Sequence, residues 1–139
     1  MIKDVLVSVK GFELDEPGEV ISVKAKGDYH CINGKHYIRY DETTDEPGKV
    51  TNNVIKISPS QIEIIKKGVV NTTMTFELSN ITTAIYQVPY GNLLLEIDTY
   101  LMDIHISDEL ISVLLNYRLT CNNEFISSNQ IEIKVTSER

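Results

Sequence analysis

The sequence has no tryptophan and only two cysteines, Cys31 and Cys121, far apart in the chain. Nothing resembles Cys-x-x-Cys or a metal-type spacing, so neither a zinc ribbon nor a disulfide framework is indicated; the pair reads as free thiols in a reducing compartment. Basic residues are scarce: 13 Lys and Arg face 20 Asp and Glu, a net charge of −7. That balance argues against nucleic acid and anionic membrane surfaces as partners, because both need basic patches. The small clusters Lys24/Lys26 and Lys66/Lys67 do not reverse it. No apolar run approaches the roughly 18–20 residues of a membrane helix. The first ten residues lack the basic-then-apolar pattern of a signal peptide. A cytoplasmic protein is the expectation. Catalytic signatures are missing too: no GxSxG, GxGxxG, P-loop or HExxH is present. The chain is expected to be non-enzymatic, with no cofactor and no metal.

What the sequence does have is alternation. In residues 69–78, Val70, Thr72, Met74, Phe76 and Leu78 share one face, and Asn71, Thr73, Thr75 and Glu77 share the other. That is the signature of a half-buried antiparallel strand. Val5, Val7 and Val9 alternate near the start, and Ile131, Ile133 and Val135 near the end. Turn signals separate such runs: Glu16-Pro17-Gly18, Asn33-Gly34, Glu46-Pro47-Gly48, Lys67-Gly68, Tyr90-Gly91-Asn92, Ser107-Asp108 and Asn122-Asn123. Nine or ten strands with tight turns suggest a sandwich or barrel, and closing a barrel removes exposed edges. A chain of 139 residues makes one such domain, large enough for a core without staples.

Two segments also carry helical signals. Ile62 to Ile65 lies between Ser58-Pro59-Ser60 and Lys66-Lys67-Gly68, but it is short and β-branched, so a strand is favoured. Leu110, Ile111, Leu114 and Leu115 fit a helical stripe. Yet Ile111, Val113, Leu115, Tyr117, Leu119 and Cys121 fit period two without a miss, and a strand is favoured again. Between Leu93 and Ile106 the alternation slips by one at Leu101-Met102, as at a β-bulge.

Chemistry is sparse. His30 and His36 flank the Asn33-Gly34 hairpin as candidate cross-strand neighbours, with Cys31 as a third metal-type ligand. Residues 30 and 31 must point to opposite faces, which spoils the site. Better candidates are Tyr40, Glu42 and Lys66. If Ile38 and Ile64 face inward, these three approach the interior near strand ends. A Lys or Glu there needs a partner, so the set is either a structural ion pair or an anchor for a ligand. Val88-Pro89-Tyr90-Gly91 reads as a corner, with Tyr90 placed to lean over a barrel mouth.

The landmarks occur in a telling order: Gly27-Asp28-Tyr29, Tyr37 to Glu42, Gly48-Lys49-Val50, Lys66-Lys67-Gly68, Met74-Thr75-Phe76, Tyr86, Pro89-Tyr90-Gly91, Tyr117 and Asn129. From about residue 5 to 135 this set resembles the YwiB-like family of small bacterial proteins. The resemblance implies an antiparallel meander closed into a calycin- or lipocalin-like β-barrel of 8–10 strands, and no known activity. The chain departs from the family pattern at Lys66, where Arg is usual, and at Val88, where Thr is usual. Lys keeps the charge without Arg's bidentate geometry.

Two functions suit such a barrel. One is binding a small hydrophobic or amphipathic ligand, with Met74, Phe76, Tyr86, Tyr90 and Tyr117 lining a pocket and Tyr40, Glu42 and Lys66 orienting a polar head. The other is a filled barrel acting through its outer face as an interaction or regulatory module. A homodimer through the region of Leu94 and Tyr100 would be one form of it.

Overall fold

The computed structural model describes residues 3–15, 20–43 and 48–138. The described residues form ten antiparallel strands and no helix: β1 (Lys3–Glu13), β2 (Ile21–Ile32), β3 (Lys35–Thr43), β4 (Val50–Ser58), β5 (Gln61–Lys67), β6 (Thr72–Phe76), β7 (Ile81–Val88), β8 (Gly91–Ile106), β9 (Leu110–Cys121) and β10 (Glu124–Ser137). They make one sheet, in the order β6-β5-β4-β3-β2-β1-β10-β9-β8-β7. The sheet rolls into a nearly closed calycin-like barrel. Its free edges, β6 and β7, meet at a single bridge: Asn71 and Gln87 exchange backbone bonds of 3.1 and 2.9 Å. The Thr82 hydroxyl adds a bond to the Thr75 carbonyl.

Both ambiguous segments are strands. In β9, Ile111, Val113, Leu115 and Tyr117 are buried, while Arg118 is exposed. In β5, Ile62 and Ile64 face inward. Period two wins because every second side chain finds the interior, whereas a helix would leave half of these β-branched residues in water. The phase slip in β8 is a bulge: the register with β9 shifts between Thr99 and Leu101. Tyr100 is the extra residue, so Leu95, Ile97 and Thr99 before it and Met102 and Ile104 after it face the same interior.

The Asn33-Gly34 hairpin closes Ile32 against Lys35, with both turn residues at positive φ, 52° and 78°. This register pairs Cys31 with His36 and His30 with Tyr37. The two histidines are therefore not neighbours. His30 stacks on Tyr37 outside, and His36 stacks on Tyr29. The corners expected at Glu16-Pro17-Gly18 and Glu46-Pro47 lie outside the described residues. The strand expected over 69–78 is shorter than its alternation: pairing begins at Thr72 and ends at Phe76, leaving Leu78 half exposed.

The core is a plug across one half of the barrel. Val7, Ile38, Ile55, Ile57, Ile62, Phe76, Ile97, Val113, Leu115 and Ile133 are all essentially inaccessible. Each contributes about 1.5–3 kcal/mol relative to an exposed position. Gly27 sits where β2 lies close against β3 and Val7. A methyl group on it would lie 2.3 Å from the Arg39 carbonyl oxygen and 3.2 Å from Val7, so only glycine lets β2 and β3 come this close.

Candidate functional site

Strands β1, β3, β5, β7 and β9 all finish at one end of the barrel, since neighbouring strands run antiparallel. Above the plug at that end the interior is hollow, a cavity of about 610 Å³. The reason is side-chain size. The positions of β1 and β2 that line it are Val9, Gly11, Ile21 and Val23, and they do not fill the space left between Leu119 and Ile131 on one side and Met74 and Ile64 on the other.

Six of the eight candidate residues converge on this cavity: Tyr40, Glu42, Lys66, Met74, Tyr86 and Tyr117. Phe76 does not line it. One inward step past Met74, it is fully buried in the plug with its ring edge-on to Tyr117, centroids 5.0 Å apart. Tyr90 does not line it either. It sits at the tip of the β7–β8 turn, 88% exposed, so it does not close the mouth.

The polar groups form one compact cluster. Lys66 Nζ donates to Glu42 Oε1 at 2.6 Å and to Asn53 Oδ1 at 2.9 Å. Asn53 Nδ2 in turn donates to the Thr51 carbonyl at 3.1 Å. Register produces this group: Lys66 is opposite Asn53 on β4, and Glu42 is opposite Thr51. Lys66 acts as a point charge with two acceptors, a role that does not require Arg's planar fork. Asn53 was missed from sequence, though it is 1% exposed. Its signal is the run Thr51, Asn53, Ile55, Ile57, in which a polar residue keeps inward phase.

Three phenols surround the cluster. Burial, reinforced by the Glu42 charge, pushes Tyr40 well above the usual phenol range. Burial, with Tyr86 beside it, raises Tyr117 to about 12. Tyr86 is raised as well, by burial and then by Glu42 and Tyr90. All three are neutral at physiological pH.

A smaller hollow of about 260 Å³ lies at the opposite end, beside Tyr29, His36 and the β8–β9 turn. The Tyr29 hydroxyl and His36 Nδ1 are 2.6 Å apart there, and burial lowers the His36 pKa.

A family model described as a domain of unknown function, DUF1934, matches residues 7–133. The chain belongs to this family. Among solved structures, it is similar to the crystal structure of ywiB protein from Bacillus subtilis. The identity is 20% and the TM-score 0.85, over 99% of this chain and 94% of that one. At this identity the likeness shows the YwiB-like barrel fold and transfers no residue role. No curated protein matches the chain. Among the described residues, no helix is long and apolar enough to cross a membrane.

Proposed function

We propose that this DUF1934 barrel binds a small amphipathic molecule in its open half, without catalysing a reaction on it. The observation that carries the reading is the cavity of about 610 Å³, apolar on most of its wall, with a single polar cluster at Lys66, Glu42 and Asn53. Small-molecule sites have this size and this division between apolar wall and few polar groups. The ligand's chain would lie against Val23, Leu119 and Ile131, and its head beside the three phenols. The unpaired thiols of Cys31 and Cys121 support a reducing, cytoplasmic setting. The test is titration with the fluorescent apolar probe N-phenylnaphthylamine. We expect saturable enhancement with a Kd on the order of micromolar, lost in Leu119→Trp, which fills the cavity. No enhancement, or enhancement indifferent to that substitution, would remove the reading.

A second reading has its own observation. Ile85 and Leu94 are cross-strand partners on the outer face of β7 and β8, both more than half exposed, and Ile81 is exposed further along β7. Such a strip suits a second copy of the chain. Sedimentation equilibrium would show a dimer that Leu94→Glu dissociates; a monomer at all concentrations would exclude it.

A further inference from the structure

We infer that the head group recognised in this cavity is uncharged: an alcohol, amide or ester oxygen rather than a carboxylate or an ammonium. This rests on the cavity reading above and adds the chemical class of the ligand.

Among the described lining residues only Glu42 and Lys66 are charged at neutral pH, and they are of opposite sign. They are already joined at 2.6 Å, and the amide oxygen of Asn53 takes a further Lys66 proton at 2.9 Å. The pair is partly shielded, with side chains 26% and 28% exposed. An incoming carboxylate would compete with Glu42 for Lys66 and leave two like charges side by side. An incoming ammonium would compete with Lys66 for Glu42 in the same way. Either exchange separates a hydrogen-bonded pair in a partly desolvated place and returns no net charge pairing.

Beyond the pair, whose ammonium has a third proton to offer, the site presents neutral hydroxyls. The hydroxyls of Tyr40, Tyr86 and Tyr117 each offer one donor and acceptor capacity. Burial keeps these phenols protonated, helped by the Glu42 charge at Tyr40 and Tyr86 and by Tyr86 at Tyr117. A neutral oxygen that both accepts and donates, or accepts from two phenols, satisfies them without disturbing the ion pair.

The test compares three probes with the same chain, namely decanol, decanoate and decylammonium, by calorimetry at neutral pH. Decanol is expected to bind at least about tenfold more tightly than either ion, a difference of one factor of ten in Kd. An apolar hole with no polar recognition would also prefer decanol, so the decisive step is Glu42→Gln. That variant leaves Lys66 unneutralised and should strengthen decanoate relative to decanol at least about tenfold. Lys66→Met provides the mirror test and should favour decylammonium. Decanoate or decylammonium matching decanol on the native protein overturns the neutral head group while the cavity reading stands. A Glu42→Gln variant with unchanged decanoate affinity relative to decanol overturns it as well, because the cluster then does not touch the head. If none of the three binds the native protein, the cavity reading itself fails.

Discussion

Phe76→Ala probes the plug that divides the filled half of the barrel from the empty half. Phe76 is inaccessible to solvent and meets Tyr117 edge-on at 5.0 Å between centroids. Removing the ring forfeits about 100 Å² of buried apolar area, or about 2.5 kcal/mol. Residual space adds about 1–2 kcal/mol, since close-packed neighbours such as Ile62 and Ile97 collapse only in part. The lost ring contact adds about 0.5–1 kcal/mol. Water entering from the adjoining cavity relieves some of the cost, so the expected total is about 4 kcal/mol. Urea denaturation is the assay. With a slope of about 2 kcal/mol per molar, the midpoint should fall by about 2 M. Phe76→Leu keeps most of the volume and should cost about 1–1.5 kcal/mol, which keeps the test readable if the Ala variant does not fold. Phe125→Ala, at a position 59% exposed, is the control and should cost less than about 0.5 kcal/mol. A loss below about 1 kcal/mol for Phe76→Ala would refute the plug.

Other outcomes follow from the same structure. Asn53→Ala removes an acceptor from Lys66 and a donor to the Thr51 carbonyl at a buried position; thermal or urea unfolding should register a loss of about 1–3 kcal/mol. Lys66→Met breaks a pair that water still reaches, so its stability cost should be only about 1 kcal/mol, and the double variant with Glu42→Gln should recover part of it. Tyr117 binds its proton more tightly folded, to about 12, than unfolded, near 10.0. Its contribution is therefore fully present below about pH 10 and lost between there and about pH 12. Ultraviolet titration should show late-ionising tyrosines that Tyr117→Phe reduces by one. If all seven tyrosines titrate together near 10 while the protein is still folded, the phenols are not buried as described.

Much of this was legible because a strand writes its two faces into alternate residues. The unbroken run from Ile111 to Cys121 outweighed a helical stripe, and the slip at Leu101-Met102 announced the bulge at Tyr100. Alternation says inside or outside, however, and does not say how deep. Phe76 and Met74 share a face two residues apart, yet one belongs to the plug and the other to the cavity wall. That depends on how β6 is staggered against β7 across the seam, where one bridge sets the register. The same limit explains Tyr90. Its position at a corner was readable, but whether the corner folds over the mouth or away from it was not. Asn53 was overlooked because a buried amide looks like a surface residue until its inward phase is counted.

The barrel interior is plugged in its middle and hollow at the end where Lys66 and Glu42 lie. On the proposed function, the open half holds a small amphipathic molecule. Native mass spectrometry of the protein purified from its own host, followed by release under denaturing conditions, tests this most directly. The account predicts a reproducible adduct on the order of a few hundred daltons, the size a cavity of this class takes. It also predicts that the adduct carries an uncharged oxygen head and is missing from Leu119→Trp. A clean apo mass for the native protein, or an adduct that survives in Leu119→Trp, would contradict it.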